Sequence, residues 1–247
     1  MIMEHEQQRY KSLKVLIIGG SGGIGSALIH LFLNTQPETI IYATYRTSKP
    51  HIENARVNWF KVDVSSEHDI RSLADSITTL DTVINTAGIL HLPNSQPEKS
   101  ITEFNADFFY LNILTNVIPT IHIAKYFSTH LKSKQNTHFV SISARIGSIE
   151  DNKIGGWISY RCSKAALNMA LKTISVEWRY KLPNCCVFAF HPGTTDTHLS
   201  KLFQKNVPAN KLFTPEYVAQ CLVDLLSTTT PTDSGEFFSY DGKKIPW

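Results

Sequence analysis

Leu13-Lys-Val-Leu-Ile-Ile-Gly-Gly-Ser-Gly-Gly-Ile-Gly-Ser-Ala-Leu-Ile29 is the stretch that decides the fold. The run up to Ile18 is short and apolar with β-branched residues, which suits a buried strand. Glycines follow, and then apolar residues return at helical spacing. Gly19, Gly23 and Gly25 stand in a G-x-x-x-G-x-G spacing. Each has its own use: a tight exit from the strand, close approach of backbone to a pyrophosphate, and close packing of helix on strand. The helix amino end adds unpaired N–H groups and the positive end of a dipole. A glycine cluster alone is equally a flexible turn. Between an apolar strand and an amphipathic helix it reads as a dinucleotide cradle.

The same alternation continues outward. Strands are predicted at 13–18, 39–44, 57–62, 81–86, 137–143, 185–190 and 236–240, and helices at 23–34, 66–78, 103–132, 157–180 and 215–227. Strands separated by helices require long crossovers, hence a parallel, doubly wound sheet with helices on both faces. Seven strands and no break between them give one domain over 1–247. Its cofactor half covers about 13–143 and its catalytic and substrate half about 144–247. The long loops at 88–102, 145–156 and 193–214 all follow carboxyl ends of strands, where such sheets bind ligands.

Tyr160 and Lys164, in Trp157-Ile-Ser-Tyr-Arg-Cys-Ser-Lys164, are four residues apart on a predicted helix. That spacing advances about 6 Å and returns to nearly the same face. An ammonium beside a phenol favours the phenolate and lowers its pKa toward the working range. The pair is suited to passing a proton to or from a substrate oxygen. Alone, the spacing also describes an ordinary solvated helix face; the cradle upstream makes it informative.

Length and composition narrow the rest. With 247 residues and 42% hydrophobic content the chain can bury a full core. A net charge of +3 without long single-sign runs calls for neither nucleic acid nor an anionic membrane. The polar start, Met1 to Lys14, is no secretory signal, and no apolar run approaches membrane-spanning length. The four cysteines lack C-x-x-C spacing and are expected as reduced thiols in a cytoplasmic protein. The ten histidines contain no H-x-x-x-H pair, so no metal site is expected.

With these residues in hand, the chain resembles the short-chain dehydrogenase/reductase family over essentially its full length. It looks most like the C-factor-type and small carbonyl reductase members. The resemblance is carried by Ser141-Ile-Ser-Ala-Arg-Ile-Gly-Ser148, by Gly155-Gly-Trp-Ile-Ser-Tyr-Arg-Cys-Ser-Lys-Ala-Ala-Leu-Asn168, and by Tyr240-Asp-Gly-Lys-Lys-Ile-Pro-Trp247. It implies a Rossmann-type fold and an NADP(H)-dependent oxidoreductase acting on a small-molecule carbonyl or alcohol. Tyr160 would be the general acid/base. Lys164 would tune Tyr160 and bind the nicotinamide ribose, and Asn112 would hold a water for proton relay. Cofactor contacts would come from Gly19, Ser21, Gly22, Gly23, Ile24 and Gly25, although Ile18 stands where many members have Thr. Asp63, beside Val64, would hold the adenine amine. Asn85, Ala87 and Gly88 form the family's N-N-A-G turn with Thr86 in its second place. Pro192, Gly193, Thr195 and Thr197 form the turn beside the carboxamide. Members commonly pair their two long helices into homodimers or homotetramers, and Trp178 belongs either to such an interface or to the core.

Two departures shape the expected activity. NAD-preferring members end the second strand with an acid; here Tyr45 occupies that place, and Arg46 offers a planar fork to a 2′-phosphate. NADP(H) is therefore favoured over NAD(H). The family serine that hydrogen-bonds the reacting carbonyl is replaced by Ala144, with Ser143 one place earlier. Ser143 should face away unless the strand end bends or bulges, in which case it is the donor; otherwise the activity is weak or another donor such as Ser148 stands in. Losing one such donor costs about 2.7–4 kcal/mol of transition-state stabilisation. Carbonyl reduction and a weakly active or inactive NADP-binding regulatory protein of the C-factor type are thus the two readings, with Tyr160, Lys164 and Asn112 together favouring the enzyme. Leu199, Leu202, Phe203, Leu212 and Phe213 either form an apolar lid or pack the 194–214 loop onto the body.

Overall fold

A computed structural model describes residues 12–247. Most of the polar start, read above as no secretory signal, lies outside the described residues. In chain order the elements are β1 (Lys14–Ile18), α1 (Gly23–Thr35), β2 (Ile40–Tyr45), β3 (Val57–Lys61), α2 (Glu67–Asp75), β4 (Thr82–Asn85), α3 (Ala106–Asn116), α4 (Ile118–Phe127), β5 (Thr137–Ile142), α5 (Ile158–Lys181), β6 (Cys185–His191), β7 (Thr194–Thr195), β8 (Leu212–Phe213), α6 (Pro215–Thr228) and β9 (Glu236–Ser239). Seven strands form one sheet in the order β3-β2-β1-β4-β5-β6-β9, and every pairing is parallel. β7 and β8 pair apart from it. The strand order reverses between β1 and β4, which opens a crevice at their carboxyl ends.

The strand pleat sorts the core into two layers. On β1, Leu16 and Ile18 join a cluster with Ile70, Phe127, Leu167 and Trp178, from α2, α4 and α5. The alternate residues Val15 and Ile17 join Leu28, Phe32, Val218 and Leu222, from α1 and α6. Both faces of the central strands are covered, which is why they read as unbroken apolar runs. Each such fully buried aliphatic side chain is worth about 1.5–3 kcal/mol of burial. The same alternation sends Cys185 and Cys186 to opposite faces. Both are free thiols, as are Cys162 and Cys221. Trp178 is 5% exposed and edge-on to Phe139, so it belongs to the core.

Two predicted helices are corrected. The single helix at 103–132 is broken into α3, α4 and a short 3-10 turn at Thr129–Leu131. Val117 departs from helical geometry at φ −112°, ψ −59°, two residues before Pro119, which cannot donate to the helix ladder and crowds the preceding turn. At the other site Trp157 is the cap of α5 rather than its first helical residue, with φ 55°. Among the described residues no helix is long and apolar enough to cross a membrane, and no cluster of candidate metal ligands occurs.

Candidate active site

The crevice begins at the glycine turn. Gly19 has φ +80°, a conformation that disfavours any side chain, and its N–H donates to Thr44 Oγ1 at 2.9 Å. Thr86, in the place of the family's second Asn, donates to the Ile18 carbonyl at 2.8 Å and so fastens the N-T-A-G turn to the cradle. A Cβ on Gly23 would come within 2.7 Å of Thr197, and one on Gly25 would collide with the Gly19 carbonyl oxygen. Ser21, Gly22 and Gly23 are exposed, and Ile24 is half-buried behind them. The α1 cap, Gly22, has no side chain to bond the helix N–H groups, and no acid stands in the first turn. An uncapped, acid-free helix start behind a backbone stripped of Cβ atoms fits a pyrophosphate. Gly193, φ +71°, lets the Pro192–Thr197 turn pack against Phe213, and Thr195 is buried within it.

The adenosine end is less enclosed. Tyr45 is half-buried and edge-on to Trp59, while Arg46 is exposed. Asp63 is exposed, and its carboxylate is held below its usual pKa by the Ser65 hydroxyl and backbone N–H, with Arg46 adding a smaller attraction. Val64 beside it is half-buried. Asn85 orders its own turn, accepting from the Ala87 N–H at 3.0 Å and donating to Thr120 at 2.9 Å. A Cβ on Gly88 would lie 2.9 Å from Asn116 Oδ1 and 3.6 Å from Lys164 Nζ, so the turn needs glycine to seat itself over α5.

Tyr160 and Lys164 are both buried, at 8% and 4% exposure. Lys164 Nζ donates to the Ile142 carbonyl at 3.0 Å, at the end of β5, and lies 5.7 Å from the Tyr160 ring centre. Gly147 allows this closeness: its Cβ would sit 2.7 Å from Lys164 Cβ. Burial lowers the Lys164 pKa to about 8, and it raises that of Tyr160. The expected depression of the Tyr160 pKa is therefore not what the chain's own groups produce, because desolvation of the phenolate dominates. Burial thus favours the neutral form of both side chains.

Asn112 is fully buried. Its amide donates to the Phe108 carbonyl at 2.9 Å and accepts from Asn116 at 3.2 Å. Asn116 also donates to Ser163 at 3.0 Å, and Ser163 donates to the Tyr160 carbonyl at 2.8 Å. A polar chain thus joins α3 to the Tyr160 backbone on α5. Sequence reasoning misses Asn116 and Ser163, although Asn116 lies one helical turn after Asn112.

The Ser143 ambiguity resolves geometrically. The ladder continues past β5 through the Ser143 N–H to the Phe190 carbonyl at 2.8 Å, and Ala144 is extended at φ −149°, ψ 142°. The strand end does not bulge, so neighbouring side chains keep opposite faces. Ser143 is 2% exposed and its hydroxyl donates to Asn168 at 2.6 Å. Its hydroxyl is thus engaged between sheet and helix rather than free to donate elsewhere. Ser148 is buried too, accepting from the Asp151 N–H at 3.1 Å.

The 194–214 loop divides its labour. Phe213 packs on the body, 4.4 Å from Tyr240 between ring centres. Phe203 instead lies 5.0 Å from Trp157 and 5.8 Å from His91, and Trp157 is in turn 6.4 Å from Tyr160. His198 adds a fourth ring 6.2 Å from His91, whose buried Nδ1 has no hydrogen-bond partner.

The short chain dehydrogenase family profile matches residues 13–208. The chain belongs to that family. Carbonyl reductase Sniffer of Drosophila melanogaster superposes with a TM-score of 0.83 at 23% identity, covering 96% of this chain and all of that one. An NADPH-bound carbonyl reductase from chicken fatty liver gives 0.83 at 24%, with 96% and 94% covered. Among sequence relatives, an uncharacterized oxidoreductase of Schizosaccharomyces pombe is 26% identical over 94% of this chain and 96% of its own length. Benzil reductase ((S)-benzoin forming) of Bacillus cereus is 25% identical over 87% and 94%. The chain is an oxidoreductase of this family with its seven-stranded sheet.

The burial of Lys164 has a measurable cost. With a folded pKa near 8 against an ordinary 10.5, the unfolded state binds more protons between those values, so this group makes stability rise with pH across that window. Below about 8 the penalty is complete. Lys164→Met should therefore melt higher than wild type at neutral pH, with the gap shrinking as pH passes from 8 toward 10.5. A lower melting temperature at neutral pH would contradict this.

Proposed function

We propose that the protein is an NADPH-dependent carbonyl reductase with Tyr160 as proton donor. The observation that carries this reading is the burial of Tyr160 beside Lys164, whose Nζ donates to the Ile142 carbonyl at the end of β5, in a fold whose first strand–helix turn is a glycine cradle suited to a dinucleotide. When bound, the nicotinamide nucleotide supplies a hydride to the carbonyl carbon. Tyr160 gives its proton to the carbonyl oxygen, which becomes a stronger base than phenolate as it accepts charge. Lys164 stabilises the phenolate left behind and, by family resemblance, holds the nicotinamide ribose. By family resemblance Asn112 would hold a water for proton resupply; its own hydrogen bonds run through Asn116 and Ser163 to the Tyr160 backbone carbonyl. The reverse alcohol oxidation would use the same groups with Tyr160 as the base.

For the cofactor, support comes from Arg46 and from the absence of an acid at Tyr45. For the substrate, it comes from the ring series Trp157, Phe203, His91 and His198 leading away from Tyr160. Flat aromatic walls with one unpartnered imidazole nitrogen suit an aryl carbonyl with a second oxygen nearby. The relative named for benzil reduction acts on a compound of that kind. Initial rates with aryl diketones, aryl aldehydes and alkyl ketones, each with NADPH and NADH, test both parts. Tighter NADH binding sinks the cofactor assignment, and equal kcat/KM for alkyl and aryl ketones sinks the substrate class. We also propose a homodimer or homotetramer through the exposed Tyr110, Leu114, Ile121 and Met169 of α3–α5; sedimentation showing only monomer would refute it.

Ala144 supplies a sharper test. A hydroxyl there would take the place of the family serine, aimed at charge that develops in the transition state. Ala144→Ser should raise kcat by about tenfold or more with little change in KM. Ser143→Ala should leave kcat nearly unchanged, since that hydroxyl faces Asn168. The reverse pattern would show that Ser143 is the donor after all.

A further inference from the structure

Glu98 has no part in that proton path, yet its side chain is buried, at 3% exposure. An unpaired carboxylate so placed is costly, so its partners are informative. Oε2 accepts from the Ser159 N–H at 3.2 Å, and Oε1 accepts from the Ser159 hydroxyl. The Glu98 carbonyl accepts from the Trp157 N–H at 2.5 Å. These contacts bridge 61 residues of sequence, from the 88–102 loop to the start of α5. α5 is 24 residues long and has neither a side-chain cap nor an acid in its first turn. Glu98 thus supplies from elsewhere the anion that the helix amino end favours.

The entry to α5 needs such a fastening. Gly155, Gly156 and Trp157 have φ of 75°, 67° and 55° in succession, and Trp157 is the one non-glycine residue with positive φ among the described residues. A bulky residue does not rest there without support from its surroundings. Arg161 holds the preceding carbonyls, donating to Gly156 at 2.9 Å and Gly155 at 3.1 Å. Glu98 holds the other side, at Trp157 and Ser159. Tyr160 comes next in sequence, and the Trp157 ring lies edge-on to both Tyr160 and Phe203.

We propose that Glu98 is a positioning residue that clamps the amino end of α5, fixing the Tyr160 hydroxyl and the Trp157 wall without touching substrate. The inference rests on the carbonyl reductase reading for its kinetic consequence but not for its structural one. Glu98→Ala should lower kcat at least about tenfold and leave NADPH affinity within about twofold, because the glycine cradle lies on other elements. Glu98→Gln keeps an oxygen that can accept from the Ser159 N–H and should recover most of kcat. A purely structural role would instead lower kcat, NADPH affinity and melting temperature together, with no rescue by Gln. Hydrogen exchange gives a readout independent of catalysis: amides of the 157–162 segment should exchange at least about tenfold faster in Glu98→Ala, with the sheet unchanged. If Glu98→Ala fails to fold, Ser159→Ala removes the hydroxyl partner and should show the same local exchange in weaker form. Unchanged exchange in 157–162 for whichever variant folds overturns the clamp. Wild-type protein that reduces no carbonyl, with exchange altered as expected, overturns the activity and leaves the clamp standing.

Discussion

Tyr160→Phe is expected to abolish carbonyl reduction, lowering kcat by about 10²–10⁴-fold while NADPH affinity stays within about twofold of wild type. The substitution removes only the transferable proton. The ring remains, so its edge contact with Trp157 and its burial against α5 persist. Burial already keeps the phenol protonated, so exchanging it for a plain phenyl ring introduces no new charge imbalance at neutral pH. Steady-state kinetics with fluorescence titration of NADPH separates the two effects. Near-normal turnover would show that another group delivers the proton, and a parallel loss of cofactor affinity would show that the hydroxyl also helps to hold the nucleotide.

Gly25→Ala is expected to have the second largest effect, through the cofactor rather than the proton. Gly25 is buried where α1 crosses the turn, and an added Cβ would collide with the Gly19 carbonyl oxygen and lie 2.9 Å from Gly20 Cα. Both are backbone atoms that cannot swing aside, so α1 must move off β1. Overpacking of this kind costs about 1–3 kcal/mol of stability. The displacement also moves the helix amino end whose N–H groups would face the phosphates in the proposed cofactor site, so NADPH affinity should fall at least about tenfold. Thermal melts and the same fluorescence titration check both losses. Unchanged melting temperature and affinity together would mean that this packing is wrong.

What is legible in the sequence is local or periodic. The glycine stretch after β1, the alternation that fills both faces of the sheet, and the Tyr160–Lys164 spacing are each written within a few consecutive residues. The apolar run from 103 to 132 reads as one helix only if Pro119 is overlooked; its missing N–H marks the break that the structure has at Val117. Other features depend on contacts no linear reading contains. Glu98 meets Ser159 only because the 88–102 loop folds over α5. The left-handed Trp157 carries no signal of its own beyond the two glycines before it. The shift of Tyr160 likewise depends on burial, which only the folded chain supplies. Strand alternation turns Ser143 away only if the strand does not bulge, and the ladder that continues to Phe190 is a contact no linear reading contains.

The central claim is that this chain transfers a hydride to a carbonyl, and a stoichiometric turnover tests it most directly. One equivalent of NADPH is mixed with the protein and an excess of an aryl diketone, and the nicotinamide absorbance and the alcohol product are followed together. Full loss of the absorbance, matched one to one by hydroxyketone, is expected in wild type but not in Tyr160→Phe. NADPH that binds tightly yet persists unchanged with aryl and alkyl carbonyls alike would contradict the claim, and would identify the cradle as part of a nucleotide-binding regulatory protein.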